Sequence, residues 1–425
     1  MNKVTIEKLD VDVYEEVLEN GLKVFLCKIP RYSIHARLTS LFGGSILEFK
    51  LKGEKKYHKV PAGVAHFLEH KLFDKKDFDP LKIYENNGAS GNAFTNEFIT
   101  SYHFTGTDEF YDNLNTLFRC VHEPYFTDEN VLKEKGIISQ EKKEDMDSNY
   151  FIVYDRSLIN VFHNLDFKNT VLGSLEDIQS ISKEDLYTCY NTFYHPSNMI
   201  LTICGDIDID ETMKFIKDYY SKKDFGPSKE IVIKKKEEPE SVVVERDVIN
   251  KDIQNKEVFI TYKVKIPNKP DDKYLNKVYF SMLLDMRFSG LSELADITNT
   301  NSNFLSGISS RVIPVDDYYI LSFGVTVKDD TEEAIKIIED ALLDFDFDSK
   351  RFNMIKKLIL NSLILSFESP YEVCSTITNQ VRLYGGIVTD IRSKLKSLDF
   401  DTFVNYIKHI DFSNRSVVIL EKKAN

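Results

Sequence analysis

The stretch Gly63-Val-Ala-His66-Phe-Leu-Glu69-His70 sets two histidines four residues apart, with a glutamate directly before the second. On a helix, positions i and i+4 share one face, so both imidazoles can reach a single metal ion. Glu69 lies close to the same face and can point at a water bound to that metal. The spacing therefore predicts a metal-binding helix. The alternative is a solvated helix with two incidental histidines.

The order H-x-x-E-H is that of an inverted zinc-peptidase motif, and a catalytic zinc takes three protein ligands and leaves a fourth position for water. A helix predicted over Asp128–Met146 offers carboxylates for the third position. Glu134 and Glu141 are two helical turns apart and share a face with Val131 and Ile138, which indicates an inward side. We expect Glu141 to be the ligand and Glu134 to support it. An exposed acidic helix that pairs with its own lysines is the alternative.

Such a site predicts the chemistry of a metal-assisted hydrolase. Zinc lowers the pKa of its bound water to about 7 and polarises the substrate carbonyl. Glu69 would take the proton from that water and later give it to the leaving amine. Loss of Glu69 should therefore spare metal binding and abolish turnover. Glu69 and Glu134 are the predicted catalytic residues.

Composition narrows the class of protein. The chain has 425 residues, 42% hydrophobic and 29% charged, as in soluble globular proteins with several core-forming units. Its net charge of −13 argues against nucleic acid and membrane partners, and no apolar run is long enough to span a bilayer. The five cysteines are scattered and lack a C-x-x-C pair, which indicates buried thiols in a reducing compartment. We therefore expect a cytoplasmic enzyme.

Strand-like and helix-like stretches mix without a regular βαβ alternation, which predicts an α+β fold. The predicted strands are Leu22–Cys27, Ala93–Thr105 (with a hairpin turn near Asn96-Glu97), Met199–Cys204, Val258–Val264, Tyr318–Val327 and Ser416–Leu420. The predicted helices are Asp79–Gly88, Glu109–Val121, Asp128–Met146, Lys183–Phe193, Thr331–Leu343, Ser349–Phe367 and Phe400–Ile410.

The chain also repeats a local pattern. A helix, a Ser-Asn pair ending at Asn198 and a strand recur near the chain end around Asn414, which predicts two similar halves. Pro, Gly and dense mixed charge between them predict an exposed linker. We predict a zinc-binding catalytic half (1–225), a charged linker (226–240) and a second, metal-free half (241–425). The second half contains only one histidine, His409.

A glycine-rich segment, Gly88-Ala-Ser-Gly91, leads into Asn92-Ala93-Phe94 just after the metal motif. Glycines and small residues ahead of a strand let another backbone approach, which suits capture of a peptide by strand addition. The alternative is an ordinary hairpin with a glycine-eased entry. We expect Asn92, Ala93 and Phe94 to bind substrate.

The combined landmarks resemble the pitrilysin/insulinase family of zinc peptidases, in the short form that is similar to mitochondrial processing peptidase subunits and bacterial relatives. Besides Gly63–His70, the resemblance rests on Leu18-Glu-Asn-Gly21-Leu-Lys-Val, Phe42-Gly-Gly-Ser45, Gly91-Asn-Ala-Phe-Thr95, Glu134-Lys-Gly-Ile-Ile-Ser-Gln-Glu141, Gly173-Ser-Leu-Glu-Asp-Ile178 and Tyr194-His-Pro-Ser-Asn198 through Gly205-Asp206.

The resemblance implies Zn²⁺ on His66, His70 and Glu141, with Glu69 as base and Glu134 behind. It implies that the strand around Asn92-Ala93 pairs with the substrate backbone. It also implies two similar α+β halves, each a mixed sheet with helices packed on one face. The halves would face each other across a chamber that admits unfolded peptides.

One departure from the family concerns the second half. Family members usually draw an arginine and a tyrosine from that half to grip the substrate, and the stretch Leu294–Ser310 contains neither. The resemblance therefore implies a second related chain, in a heterodimer, or a homodimer. Besides a zinc endopeptidase acting on peptides or unfolded segments, two alternatives stay open: a noncatalytic peptide-binding subunit, and a leader-peptide processing enzyme for a secreted peptide. A structural metal site is disfavoured because such sites usually have four ligands rich in cysteine.

Overall fold

The computed structural model describes residues 1–7, 9, 11–30, 32–266, 273–290 and 292–423. The strands are β1 (Asn2–Ile6), β2 (Val11–Val17), β3 (Lys23–Lys28), β4 (Ile34–Ser40), β5 (Glu48–Leu51), β6 (His58–Lys59), β7 (Ser90–Thr95), β8 (Thr100–Gly106), β9 (Met199–Gly205), β10 (Ile231–Ile233), β11 (Arg246–Lys251), β12 (Lys256–Lys265), β13 (Ser309–Val315), β14 (Tyr318–Val327) and β15 (Arg415–Lys422). The helices are α1 (Val64–Phe73), α2 (Pro80–Asn86), α3 (Phe110–His122), α4 (Asp128–Asp147), α5 (Asn149–Val161), α6 (Leu175–Ser180), α7 (Lys183–Phe193), α8 (Ile209–Tyr220), α9 (Lys273–Phe288), α10 (Glu293–Thr300), α11 (Thr331–Leu343), α12 (Ser349–Leu365), α13 (Pro370–Tyr384), α14 (Ile391–Ser397) and α15 (Phe400–Lys408).

The chain forms two compact units that exchange segments. The first unit comprises Met1–Lys142, Asn169–Lys235 and Ser362–Arg392, and the second comprises Lys143–Lys168, Lys236–Asn361 and Ser393–Asn425. The predicted division into 1–225 and 241–425 does not include this exchange. The exchange places α5 in the second unit and α13 in the first.

The first unit contains a seven-stranded mixed sheet in the order β1-β2-β3-β9-β4-β8-β7. Strand β9 lies in the middle, parallel to β3 and antiparallel to β4, and all its residues are buried. The predicted hairpin is present as β7 and β8, which pair so that Asn92 lies opposite His103. Strand β7 is therefore an edge of the sheet, and an edge strand leaves one row of backbone groups for another chain.

The second unit contains a five-stranded sheet in the order β11-β15-β12-β14-β13. Strand β15 is parallel to β11 and antiparallel to β12, as β9 is to β3 and β4. The two sheets thus share the order and directions of five strands. This is the duplication that the repeated helix, Ser-Asn and strand pattern predicted.

Within the described residues, each sheet carries helices on one face, as expected, and one further helix packs on the other face. In the first unit, Leu38 of β4 packs in the core with Phe67 of α1. On the opposite face, Cys374 and Thr378 of α13 contact His35 of β4 and Thr202 of β9. In the second unit, α5 packs on β12 and β15. Each exchanged helix therefore covers the sheet face opposite the one on which the other helices of its unit pack.

Most residues of the predicted exposed linker are solvent-exposed, but parts of it contact the folded units. Residues Ile231–Ile233 form β10, which pairs with β5. The Glu238 carboxylate is 4% exposed and bonds to the buried Lys263 ammonium at 2.5 Å. It also accepts the backbone N–H groups of residues 163–165. These donors compensate the cost of removing the Glu238 carboxylate from water, so this charged side chain can be buried.

All five cysteines are buried free thiols, as the composition indicated. They act as small apolar core residues. Among the described helices, none combines the length and the apolar character that crossing a bilayer requires.

Candidate metal centre

Helix α1 carries the two histidines and begins directly after Gly63, whose φ is +87°. A Cβ at this glycine would lie 2.3 Å from the backbone oxygen of Leu172, so no other residue fits the close approach. The helix buries Phe67 and Leu68 in the core of the first unit. His66 and His70 then face the same direction, with ring centres 4.6 Å apart.

Helix α4 brings the carboxylate that the sequence predicted as third ligand. Val131 and Ile138 are buried, so this side of α4 faces inward as expected. Glu141 Oε1 lies 3.7 Å from His66 Nε2, and Glu141 Oε2 lies 3.6 Å from His70 Nε2. Ligands held about 2.0–2.1 Å from a tetrahedral zinc stand roughly 3.3 Å apart. The three side chains therefore fit one metal ion with little adjustment.

These three residues are the one group of three or more potential metal ligands found among the described residues, with ligand atoms within 4.8 Å of one another. The set of two imidazoles and one carboxylate suits a borderline metal such as zinc, and it leaves the fourth tetrahedral position open.

Glu134 contacts His70, whereas the sequence analysis placed it behind Glu141. Its Oε1 accepts a hydrogen bond from His70 Nδ1 at 3.0 Å. Burial disfavours protonation of His70, but the hydrogen bond and charge of Glu134 outweigh it and raise the pKa of the imidazole. Because Nδ1–H is held by the carboxylate, the Nε2 lone pair points toward Glu141. Glu134 is thus a positioning residue for His70.

His66 is held in the neutral form. Burial, with the neighbouring His70, lowers the pKa of His66 to about 3. Its Nδ1 is buried and has no hydrogen-bond partner among the described residues. A neutral imidazole is the form that donates a lone pair to a metal.

Glu69 lies beside this group and does not belong to it. Thr95 Oγ1 donates a hydrogen bond to Glu69 Oε2 at 2.5 Å. Burial raises the pKa of Glu69, and the Thr95 hydrogen bond opposes that rise. A carboxylate with a raised pKa is a stronger base than an exposed one. Thr95 belongs to β7, so the edge strand is tied to the predicted base.

The predicted substrate residues Asn92, Ala93 and Phe94 precede Thr95 on β7. Asn92 is exposed, and Ala93 and Phe94 are half-buried. The Asn92 side-chain oxygen accepts the Ala93 backbone N–H at 2.8 Å. These residues therefore lie on an edge strand next to the candidate metal centre, which is where strand addition requires them.

Sequence reasoning missed Thr95 and Lys71. The Lys71 side chain is fully buried; its Nζ lies 2.5 Å from Asp74 Oδ2 and 3.7 Å from Glu134 Oε2. Lys71 lies seven positions after Val64 and four after Phe67, inside the apolar stripe of α1. A lysine at such a position is the signal that could have found it, because a buried cation needs a carboxylate partner. No local signal marks Thr95, whose contact is set by the hairpin.

Comparison with known proteins finds two domain models of one family along the chain. The model of the insulinase family, peptidase M16, matches residues 54–174, and that of the peptidase M16 inactive domain matches residues 180–358. The protein named Uncharacterized zinc protease YmfH of Bacillus subtilis is 29% identical over 423 residues, 98% of this chain and 97% of that protein. The mitochondrial-processing peptidase subunit beta of Caenorhabditis elegans is 29% identical over 171 residues, 39% of this chain and 37% of that protein. The crystal structure of an M16-like peptidase from Alicyclobacillus acidocaldarius has a TM-score of 0.91 and 26% identity, covering 97% of this chain and 99% of that one.

Proposed function

This chain belongs to the M16 family, the insulinase family of peptidases, and on that premise we propose that it is a zinc-dependent endopeptidase. The proposal is carried by one observation. His66, His70 and Glu141 present their ligand atoms within 4.8 Å of one another, and the hydrogen-bonded Glu69 carboxylate stands beside them. A metal site with three ligands and an adjacent base is the constellation of metal-assisted peptide hydrolysis.

His66, His70 and Glu141 would hold the zinc. When bound, the metal supplies an acidified water and a positive charge that polarises the scissile carbonyl. Glu134 fixes the His70 ring through Nδ1 and keeps Nε2 available as a ligand.

Glu69 does the proton transfer. Its carboxylate takes a proton from the attacking water and delivers it to the leaving amine as the peptide bond breaks. Thr95 holds one carboxylate oxygen in place, so the other oxygen remains for the water. Burial of Glu69 raises its pKa and makes it a stronger base.

The substrate class follows from the edge strand. A peptide that adds to β7 beside Asn92, Ala93 and Phe94 would run past Thr95 and Glu69 in an extended conformation. Extended binding requires an unfolded segment, so we propose peptides and unfolded segments as substrates. We further propose that hydrolysis occurs in a closed chamber, with 1–225 as the catalytic half and 241–425 as the metal-free half.

A related partner chain completes the proposal. Leu294–Ser310 lacks the arginine and the tyrosine that the family uses to hold substrate, so a second chain would supply them in a dimer. A relative of this chain is named as a subunit, which supports this assembly.

The five buried thiols support a cytoplasmic location. The same missing pair favours a second candidate function, a noncatalytic peptide-binding subunit.

The test is the zinc content of the purified chain beside two variants. We expect about one zinc per wild-type chain, loss of zinc in His66→Ala, and retention in Glu69→Gln. Activity on an unfolded peptide should disappear in Glu69→Gln. A folded, zinc-supplied sample that binds no zinc would refute the peptidase and leave the noncatalytic subunit as the better account.

A further inference from the structure

Three basic side chains cluster on the sheet face that α13 covers, away from the metal centre. His35 and Arg37 come from β4 and His103 comes from β8, and Arg37 lies directly opposite His103 in the strand register. His35 is 0% exposed and Arg37 is 2% exposed. A buried guanidinium needs a compensating negative charge, because desolvation of an ion costs several kcal/mol.

Four polar atoms of this cluster lack hydrogen-bond partners among the described residues. Arg37 Nε and Nη2, His35 Nε2 and His103 Nδ1 are all buried without one. No ion pair joins Arg37 to a carboxylate in the described part of the chain. Its guanidinium carbon instead lies 5.4 Å from the centre of the Phe94 ring and 4.9 Å from that of Tyr371. Ring faces attract a cation but accept no hydrogen bonds of ordinary strength.

The two histidines add donors without adding charge. Burial, assisted by the charge of Arg37 and by His103, lowers the pKa of His35 to about 3. Burial and Arg37 lower the pKa of His103 to about 4. His35 Nδ1 is engaged with the Thr105 hydroxyl at 2.8 Å, and its Nε2 is the atom left over. Both imidazoles are therefore neutral, and each can donate one N–H. Arg37 carries the single positive charge of the cluster.

We propose that Arg37, His35 and His103 bind a small monovalent inorganic anion, of the size and charge of chloride, beneath Tyr371. One negative charge neutralises the guanidinium, and a spherical acceptor can take several N–H donors at once. A buried water would meet some of these donors but would leave the charge uncompensated. The anion must be small because the sheet and α13 enclose the donors.

Tyr371 provides the entry. Its ring is packed edge-on against His35 at 5.0 Å and His103 at 6.0 Å, yet the residue is 42% exposed. A rotation of this one side chain would open the cluster to solvent. The bound anion would fix Arg37 against Phe94, which lies one residue before Thr95 on β7. The site therefore supports the edge strand from behind and does not depend on the proposed peptidase function.

The first experiment is a melting-temperature titration of the full chain with sodium bromide against sodium gluconate at constant ionic strength. Bromide should give a saturable rise of a few degrees, because a ligand that binds only the folded chain stabilises it. Arg37→Met should abolish the rise. Arg382→Met is the matched control: Arg382 lies 4.5 Å over the Phe98 ring but interacts with the charge of Glu97, so its variant should keep the bromide response.

A second variant covers the case in which Arg37→Met does not fold. His103→Phe keeps the ring and removes the donor, and we expect its bromide midpoint to rise about tenfold, the loss of one charge-assisted hydrogen bond. Crystals soaked in bromide should show an anomalous peak within hydrogen-bonding distance of Arg37 and His103. No peak there, or an identical bromide response in wild type and both cluster variants, would overturn the proposal.

Discussion

Lys71→Met should weaken zinc binding without touching a ligand. The Lys71 ammonium lies 3.7 Å from the Glu134 carboxylate, and Glu134 holds His70 Nδ1 at 3.0 Å. Methionine keeps most of the side-chain volume and removes the charge. Glu134 is only 12% exposed and would lose its nearest cation. Its carboxylate would then be less well fixed against the His70 ring.

The size of the effect follows from these distances. Two unit charges 3.7 Å apart interact by about 4.5 kcal/mol at an effective dielectric constant near 20, and only part of this energy affects the metal ligand. Loss of partners behind metal ligands typically costs 10–100-fold in affinity. We therefore expect a zinc dissociation constant about 10–100-fold higher in Lys71→Met, and an intermediate value in Lys71→Arg.

The assay is competition for zinc with a chromophoric chelator, followed on folded protein. Lys75→Met is the matched control, because Lys75 is also largely buried but donates to the Glu123 backbone oxygen at 2.6 Å and is not among the partners of Glu134. Burial lowers the pKa of Lys75 to about 8, so its removal tests loss of a buried lysine in general. Equal zinc affinity in wild type and Lys71→Met, or equal losses in both variants, would refute the reasoning.

Three further predictions concern single contacts. Thr95→Val should lower peptidase turnover about tenfold at unchanged zinc content, because Glu69 loses the donor that orients it; unchanged turnover would contradict this role. Glu238→Gln should cost about 3–5 kcal/mol in urea unfolding because it strips a buried ammonium of its partner, whereas exposed Glu240→Gln should change stability by under about 0.5 kcal/mol. The pKa of buried His122 is lowered from 6.5 to about 3, so between these values only the unfolded chain binds the proton and stability falls as pH falls. His122→Gln should therefore lose about 2 kcal/mol less than wild type between pH 7 and pH 5, measured by unfolding at both pH values.

Much of the candidate metal centre could be predicted from the sequence because helical periodicity is local. The spacing of His66 and His70, and the shared face of Glu134 and Glu141, follow from 3.6 residues per turn, and the structure brings these side chains together. All predicted strands and helices overlap observed elements. What periodicity cannot give is which atom of Glu134 meets which side chain, since that depends on how α4 packs on α1.

Strand β4, which was not among the predicted strands, shows what an alternating pattern cannot reveal about burial. All residues of Ile34–Ser40 are buried, yet His35 and Arg37 are polar and alternate with apolar residues. Such alternation indicates a strand with one face in water. Here the polar face is covered by α13, whose residues lie more than 300 positions further along the chain. Only tertiary structure reveals that cover.

The exchange of segments also sets when the first unit can be completed during synthesis. Helix α1 and strand β7 are among the earlier parts to leave the ribosome, but the first unit includes Ser362–Arg392. Until Pro370–Tyr384 has emerged, the sheet of the first unit lacks the helix that covers its second face. A nascent chain would therefore leave the sheet face that carries His35 and Arg37 uncovered until α13 has been made.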